Sequence, residues 1–248
     1  EPVTLTSQTA KVIAEAIRIG QQSGGILDVT VGPLVELWGF GAQGRITHAP
    51  GDAQQEAVRA YVGIDKIALD GLALRKLEPR VAIDLSTIAK GYGVDRLVEI
   101  LLTHGYQSFM VDIGGDMRVG AAKPSGLWKI AVEKPVSTER SVQRILALEN
   151  MALATSGDYR NYFEEDGVRY SHLIDPRTGE PIQHKTVSST VLHPDAMTAD
   201  GYATTLNVLP ADEALAFANQ HQLAVLLIVK TEQGFEERYS EAFTPFLN

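Results

Sequence analysis

The chain has 248 residues, 44% of them hydrophobic and 21% charged, so it carries enough apolar material for a sizeable core. This composition excludes a disordered chain, and no apolar run approaches the roughly 20 residues that span a bilayer. Lys and Arg number 22 against 31 Asp and Glu, and the formal net charge of −9 excludes the general basic surface of a nucleic-acid-binding protein. The chain has no cysteine, which excludes disulfides, thiolate catalysis and Cys-ligated zinc.

Hydrophobic spacing and turn signals predict the following elements. In the first half they are a helix at 9–21, an extended stretch at 26–33 running into a Pro-started helical turn, a helix at 52–61, and a hairpin at 66–70 and 72–76. Next come a helix after residues 84–87, and strands at 108–113, 117–119, 127–132, 141–148 and 151–155. The last are a turn at 175–179, a strand at 186–192, helices at 195–209 and 212–220, and strands at 223–229 and 235–239.

Two of these helices carry more detailed predictions. Asp52 is the predicted N-cap of the helix at 52–61. Ser86 or Thr87 is an alternative N-cap for the helix that follows. The predicted apolar stripe of that later helix consists of Ile88, Val94, Leu97, Val98, Leu101 and Leu102.

Helices and antiparallel-looking strands alternate along the chain without a steady βαβ rhythm. This order favours an α+β fold with largely antiparallel sheets and packed helices over a doubly wound α/β fold. No internal repeat, low-complexity segment or domain linker is evident, so the sequence predicts a single domain over residues 1–248.

The first candidate site is the pair Asp200 and Thr204. Residues four apart lie on one face of a helix, so this carboxylate and hydroxyl can converge on one point. Two protein oxygens, with water and phosphate oxygens completing the shell, are a usual way to hold Mg²⁺. The alternative is structural: Asp200 supports a helical turn and Thr204 bonds back to a carbonyl.

The second candidate is the segment from Asp84 to Gly93, in which an acidic residue leads into a helix whose first turn carries Lys90. Helix N-termini offer free N–H groups to phosphate, and Lys90 would add a positive charge. The glycine spacings of P-loop and Rossmann motifs are missing. Glycines that serve helix packing are the structural alternative.

The third candidate is His172, one of six histidines. It leads into the turn at Asp175-Pro176-Arg177-Thr178-Gly179, and functional residues often lie on such connections. Its ordinary pKa of about 6.5 suits a base at neutral pH. Trp38 and Phe40 could stack on a flat ring, although core packing is the more ordinary role of such aromatics.

Seven segments in order resemble one family, the FAD:protein FMN transferases, or ApbE-like flavin transferases. They are residues 25–34 (GILDVTVGPL), 37–41 (LWGFG), 84–92 (DLSTIAKGY), 112–116 (DIGGD), 154–159 (ATSGDY), 171–179 (SHLIDPRTG) and 199–204 (ADGYAT). Each segment alone is weak, but seven in the right order are a strong signal.

The resemblance implies a Mg²⁺-dependent transfer of FMN from FAD to a Thr or Ser hydroxyl of a target protein, with release of AMP. It also implies roles for individual residues. Asp200 and Thr204 would bind Mg²⁺ through their side chains, Thr87 would bind it through its backbone oxygen, and His172 would assist the incoming hydroxyl. Contacts to the flavin nucleotide would fall on Ile26, Leu27, Asp28, Asp84, Lys90 and Ile174.

The resemblance further implies partners and a location. The targets would be membrane-bound redox subunits exposed on the periplasmic side. Family members are often lipoproteins anchored through an N-terminal Cys, which this chain lacks. They usually carry several tens of residues before the first helix, so a segment that helps to close the flavin pocket is expected to be missing or trimmed here. Leu27 stands where an aromatic residue is often found.

Two other functions remain open from the residues alone. A Mg²⁺-dependent FAD pyrophosphatase would use the same site with water as the acceptor and release FMN and AMP. A non-catalytic FAD-binding protein would perform no chemistry, although pure binding does not need His172, Asp200 and Thr204 together.

Overall fold

A computed structural model describes residues 1–42, 44, 46, 48–135, 141–157, 162–165 and 168–247. The six α-helices of this part are α1 Ser7–Gln22, α2 Gly32–Leu37, α3 Asp52–Arg59, α4 Ala89–Thr103, α5 Ala196–Val208 and α6 Ala211–Gln220. The first eight strands are β1 Val3–Thr4, β2 Ile67–Asp70, β3 Ala73–Lys76, β4 Met110–Ile113, β5 Asp116–Val119, β6 Trp128–Glu133, β7 Val142–Leu148 and β8 Met151–Gly157. The remaining strands are β9 Tyr162–Glu165, β10 Val168–Ser171, β11 Ile174–Asp175, β12 Glu180–Pro181, β13 Thr186–His193, β14 Ala224–Thr231 and β15 Gly234–Tyr239. Short 3-10 helices lie at Ile64–Lys66 and Glu241–Phe246.

These elements form two compact units, and each unit takes two separate stretches of the chain. Unit 1 consists of residues 1–87 and 161–183, and unit 2 consists of residues 88–160 and 184–248. The predicted single domain over 1–248 stays a prediction.

Unit 1 contains an amphipathic helix and several small antiparallel sheets. Helix α1 buries apolar residues at the predicted spacing, and the Thr6 side chain accepts a hydrogen bond from the main chain of Thr9 at its N-terminus. Strands β1, β3 and β2 form one sheet in that order, while β9–β10 and β11–β12 form two separate pairs. The predicted hairpin is confirmed, with Asp70 paired to Ala73 around Gly71, whose φ of +56° suits glycine.

Unit 2 is built on a six-stranded sheet in the order β15-β14-β13-β8-β5-β4. Every neighbouring pair in it is antiparallel, which confirms the predicted α+β class with antiparallel sheets. Helix α5 packs on β8 and β13, and α4 packs on β4, β5 and α5. Strands β6 and β7 form a second, two-stranded sheet whose residues Ile130, Val132, Leu146 and Leu148 join the main core of this unit.

Several local predictions are wrong. Residues 26–31 form turns rather than an extended stretch, because the Asp28 side chain accepts hydrogen bonds from Thr30 and folds the chain back. The N-cap of α3 is Gly51, not Asp52, and that of α4 is Ile88 without a side-chain bond, which excludes Ser86 and Thr87 as caps.

The predicted apolar stripe of α4 is also partly wrong. The face turned to the core carries Gly91, Val94, Asp95 and Val98, whereas Leu97 and Leu102 are exposed. The buried residues follow one another three or four positions apart, as one helical face requires. The start of that face at Gly91 reflects a close helix contact, which apolar spacing alone does not reveal.

Candidate functional site

The predicted site residues belong to both units. Unit 1 contains Ile26, Leu27, Asp28, Asp84, Thr87, His172 and Ile174, and unit 2 contains Lys90, Asp200 and Thr204. The geometry of each set is described within its own unit.

An acidic cluster in unit 2 brings Asp200 and Lys90 together with a third residue, Asp116. Asp116 and Asp200 are 1% and 4% exposed, and their two carboxyl groups interact with each other. The Lys90 ammonium makes a close ion pair with Asp116, and its Nζ lies 3.9 Å from Oδ1 of Asp200. Among the described residues, two buried carboxyl groups therefore share a single ammonium group.

The electrostatics of this acidic cluster follow from that shortage of positive charge. Burial, and then the negative charge of Asp116, raise the pKa of Asp200 to about 7. Burial also raises the pKa of Asp116, against the hydrogen bond from Lys90. Burial opposes the charge on Lys90, but the two carboxylates outweigh it and raise the pKa of that ammonium. The cluster is a place where a further cation would be stabilised.

Helix packing places Asp200 in the cluster. A Cβ added to Gly91 would lie 2.2 Å from the carbonyl oxygen of Ala196, so only glycine lets α4 approach the start of α5 this closely. The approach allows the main-chain N–H of Gly91 to donate to Oδ2 of Asp200 at 3.0 Å. The helix-packing alternative for this glycine is confirmed, and the packing itself forms part of the site.

A second contact fixes the N-terminus of α5. The Asp95 carboxylate accepts hydrogen bonds from the main-chain N–H groups of Ala196, at 3.0 Å, and Met197, at 2.9 Å. It also accepts one from Arg118 at 2.8 Å. Asp95 therefore caps α5 from another helix and satisfies N–H groups that have no partner within the helix.

Asp116 is positioned by the β4–β5 turn. Gly114 and Gly115 form a two-residue turn with φ values of +63° and +98°, the backbone of a type I′ hairpin. The main chain of Thr155 on β8 donates a hydrogen bond to the Asp116 carboxylate. The two glycines therefore form the turn between β4 and β5, and this turn places the Asp116 carboxylate in the acidic cluster.

The two predicted threonine ligands fall in different units. Thr204 is half-buried on α5, one turn after Asp200. The hydrogen bond back to a main-chain carbonyl is made by the next residue, Thr205, whose Oγ1 donates to the Gly201 carbonyl at 2.8 Å. Thr87 ends unit 1, and its buried Oγ1 has no hydrogen-bond partner in the described part of the chain. The Thr204 hydroxyl, one turn from a buried carboxylate, is an oxygen donor of the kind that Mg²⁺ prefers, and the backbone role of Thr87 stays a prediction.

In unit 1, Asp28 organises a turn. Its Oδ1 accepts hydrogen bonds from the main chain and the hydroxyl of Thr30, at 2.8 and 2.7 Å. The same hydroxyl accepts the Gly63 N–H at 2.7 Å, and Ile64 donates its N–H to the carboxylate. Burial raises the pKa of Asp28 against these hydrogen bonds. Its partners hold it as a structural anchor, so its predicted role in nucleotide binding stays a prediction.

The apolar residues predicted to contact the flavin lie in the interior of unit 1. Ile26, Leu27 and Ile174 are between 1% and 6% exposed. Their side chains are core residues, so any contact they make with a nucleotide would come through the main chain. Asp84, by contrast, is exposed, and its main-chain N–H donates to the Val29 carbonyl at 2.7 Å, next to the Asp28 turn.

His172 lies at the edge of an aromatic group in unit 1. Its ring centroid is 6.3 Å from that of Phe40, in an edge-on arrangement. Trp38 stacks on Tyr170, is only 3% exposed and donates its indole N–H to the Gly179 carbonyl at 2.8 Å. Core packing is therefore confirmed for Trp38.

Asp116 was not identified as a site residue from the sequence. It is 26 positions from Lys90 and on a different element, so no local periodicity connects them. The available signal was the DIGGD segment, in which a two-glycine turn precedes an acidic residue. Of the segment ATSGDY, Asp158 and Tyr159 lie outside the described residues.

Comparison with known proteins places this geometry in a family. The family model described as "ApbE family" matches residues 1–227. The chain belongs to the ApbE family. A relative from Vibrio cholerae, named FAD:protein FMN transferase, is 50% identical over 249 residues, which cover 100% of this chain and 75% of the relative. A Haemophilus influenzae relative of the same name is 50% identical over 98% of this chain and 72% of its own length.

Solved structures of the family have the same fold. The flavin transferase ApbE from Vibrio cholerae superposes with a TM-score of 0.91 at 48% identity, covering 100% of this chain and 79% of that one. The apo flavinyl transferase ApbE from Pseudomonas stutzeri gives 0.89 at 36% identity, over 99% and 77% of the two chains. The predicted ApbE-like fold is confirmed by these structures.

Proposed function

We propose that this protein is an FAD:protein FMN transferase, which moves FMN from FAD to a Thr or Ser hydroxyl of a target protein and releases AMP. The observation that carries the proposal is the 50% identity, over the whole chain, to a relative with that name. The acidic cluster of unit 2 supports it, because transfer at a pyrophosphate needs a site that binds cations and neutralises phosphate charge.

We propose Mg²⁺ as the cation, held by the side chains of Asp200 and Thr204 and by the backbone oxygen of Thr87. When bound, Mg²⁺ would screen the phosphate charge and act as a Lewis acid on the attacked phosphorus. Among the described residues, no three His, Asp or Glu side chains are grouped closely enough to hold a metal by themselves. The shell would therefore include hydroxyl, main-chain and phosphate oxygens, as is usual for Mg²⁺.

The residues of the chain bind, orient and move a proton in this proposal. Lys90 would stabilise a phosphate oxygen of FAD with its ammonium, and Asp116 would hold that ammonium in place. His172 would accept the proton of the target hydroxyl as the hydroxyl oxygen attacks the FMN-side phosphorus. The new bond joins that oxygen to phosphorus, and the bond from phosphorus to the AMP oxygen breaks. Ile26, Leu27, Asp28, Asp84 and Ile174 would contact the flavin nucleotide.

We also propose that the protein acts on the periplasmic side of the inner membrane, on membrane-bound redox subunits. Its family membership supports this location. None of the described helices combines the length and the apolar character needed to cross a bilayer.

A covalent-labelling assay tests the proposed function. The protein is mixed with FAD, Mg²⁺ and the soluble domain of a redox subunit that carries an acceptor threonine, and the denatured target is examined for flavin fluorescence. We expect a fluorescent target band that disappears with EDTA and with Asp200→Ala. A dark band with AMP in solution would indicate FAD hydrolysis instead. A dark band with intact FAD would indicate a binding protein.

A further inference from the structure

A cleft of about 650 Å³ opens on unit 2, and none of the predicted site residues lines it. Its walls come from the β4–β5 turn (Gly114 and Gly115), from β6 (Ala131–Glu133) and from β8 (Thr155 and Gly157), and we call it the β6–β8 cleft. Met117 and Leu153 add apolar surface, and Asp112 and Glu133 add carboxylates.

Two strand edges border this cleft without a neighbour among the described strands. Among the described strands, β6 pairs with β7 alone, so its other edge has no strand partner. Strand β8 pairs with β13 along Ala152–Gly157, but its pairing with β5 ends at Leu153. Beyond Leu153, the β8 edge therefore borders the cleft rather than another described strand, and on this edge the Thr155 N–H is already used by the Asp116 carboxylate. Free strand edges present main-chain N–H and C=O groups that an extended peptide can pair with.

The β6–β8 cleft is connected to the acidic cluster. Gly114 lines the cleft, and a Cβ added to it would lie 3.8 Å from Cδ of Lys90. Thr155 also lines the cleft, and its main-chain N–H donates to the Asp116 carboxylate that binds Lys90. A hydroxyl held at this end of the cleft would be next to the residues proposed to bind the phosphates of FAD.

The lining favours a peptide over a nucleotide. Asp112 and Glu133 carry negative charge, which repels the phosphates of FAD. Gly115 and Gly157 add no side-chain bulk beside the free edges, so a peptide backbone can approach them closely.

We propose that the β6–β8 cleft binds the acceptor segment of the target protein as an added, extended strand, with its Thr or Ser at the end next to Lys90. The inference rests on the proposed function and extends it to the recognition of the target. Main-chain pairing would give affinity, and the alternate side chains of the segment would meet the cleft walls.

The first test blocks the cleft with a bulky side chain. Ala131 is exposed on β6 and lines the cleft, whereas Ala147 is exposed on the paired strand β7 and does not line it. Ala131→Trp and Ala147→Trp are compared by fluorescence anisotropy, with a labelled synthetic peptide that spans the acceptor threonine mapped in the labelling assay. We expect Ala131→Trp to weaken peptide binding at least about tenfold and Ala147→Trp to leave it within about twofold.

A second test does not depend on how the bulky variant folds. Because the natural chain has no cysteine, Ala131→Cys and Ala147→Cys each introduce a single thiol. The same peptide, carrying a bromoacetyl group beside the acceptor position, should alkylate the thiol at position 131 and spare the one at position 147. Mass spectrometry of the intact protein reads the result.

The outcomes separate this inference from the proposed function. Suppose that the wild-type protein labels the target, but the two tryptophan variants bind the peptide equally and the two thiols are alkylated equally. This result would rule out peptide binding in the β6–β8 cleft and would still support the transferase. Weaker FAD binding in Ala131→Trp, with peptide binding intact, would assign the cleft to the nucleotide and also overturn the inference. Peptide binding at position 131 without any flavin transfer would support the cleft and contradict the transferase.

Discussion

Each unit of the molecule buries aspartate, and the two surroundings differ in kind. In unit 1, Asp28 accepts hydrogen bonds from neutral donors, the main-chain and hydroxyl groups of Thr30 and the N–H of Ile64. In unit 2, Asp116 and Asp200 face each other and share the ammonium of Lys90. A carboxylate that accepts hydrogen bonds from neutral donors stabilises the fold. Two neighbouring carboxylates that share one cation form a site that attracts a second cation.

The contrast is sharpest for Asp200 and Asp28. We expect Asp200→Ala to reduce Mg²⁺-dependent FMN transfer by about a thousandfold or more. A bound metal contributes several kcal/mol to a phosphoryl-type transfer, and about 1.4 kcal/mol corresponds to a factor of ten. Quantified flavin fluorescence on the target protein measures the effect.

The matched control for that variant is Asp28→Ala in unit 1. It should lower the melting temperature and, through its proposed nucleotide contact, weaken FAD binding, but at saturating FAD it should keep the rate of transfer by the folded fraction within about tenfold. If the two variants lose the same activity per folded molecule, the assignment of one carboxylate to chemistry and the other to structure is wrong.

The next largest effect tests whether unit 1 also takes part in the chemistry. We expect His172→Ala to lower the rate of transfer by about 10²–10⁴-fold, the usual contribution of a general base, with a much smaller change in FAD affinity. Single-turnover labelling and FAD titration measure the two quantities separately. Equal losses in both would make His172 a residue that positions FAD rather than a base.

Gly91 and Gly93 provide a paired test of how unit 2 places its carboxylate. Ala at position 91 would press its Cβ against the Ala196 carbonyl, so we expect Gly91→Ala to cost about 1–3 kcal/mol of stability and to weaken metal binding. A Cβ at position 93 would meet only the flexible end of Ile113, at 3.1 Å. Gly93→Ala should therefore be close to neutral in denaturant unfolding, and similar losses in both variants would contradict the close-contact argument.

Thr30→Val tests the structural side of the comparison. The substitution removes the hydroxyl that donates to Asp28 and accepts from Gly63, and it leaves buried polar groups without partners. We expect a loss of about 1–3 kcal/mol in the free energy of unfolding. The rate of transfer at saturating FAD should change little, because no charge of the acidic cluster is altered. A large loss of rate with unchanged stability would show that this turn takes part in the reaction.

A smaller effect concerns pH. The pKa of Asp200 is raised from 3.8 to about 7, so the folded state holds this proton more tightly than the unfolded state. The stabilisation is complete below the unfolded value and is lost as pH rises through about 7. In EDTA we expect the melting temperature to fall by about a few degrees between pH 5 and pH 8.

A substitution at Asp200 and the addition of Mg²⁺ distinguish the contribution of Asp200 to this pH dependence from that of Asp28. Asp200→Asn should reduce the decrease in melting temperature between pH 5 and pH 8. Mg²⁺ should raise the melting temperature at the higher pH, because a ligand that binds the folded state stabilises that state. The pKa of Asp28 is also raised, so its contribution has the same sign, but it should not respond to Mg²⁺. A fall that Mg²⁺ leaves unchanged in the wild-type protein would contradict the metal site.

The sequence was informative where structure is local. The spacing in α1 and the Asp70-Gly71 turn predicted a helix and a hairpin that the structure confirms. Local patterns failed where a side chain overrides them, as at residues 26–31, where Asp28 bends a β-branched stretch into turns. They also missed the short pairs β9–β10 and β11–β12, which have little periodicity to detect.

The candidate site shows the same limit over longer distances. Asp200 and Lys90 could be picked out because each stands in a recognisable segment, and the structure brings them to 3.9 Å. Asp116 and the need for Gly91 depend on the approach of elements far apart in the chain. Such contacts are tertiary, and no spacing rule for helices or strands encodes them.

The acidic cluster of unit 2 is proposed to hold the metal that serves the transfer. Crystals soaked with FAD and Mn²⁺, a hard cation suited to the same oxygen ligands, would test it through the anomalous signal of the metal. We expect an anomalous peak in coordinating contact with the Asp200 carboxylate and none at Asp28. A peak at Asp28, or none near Asp200 while FAD is bound, would contradict it.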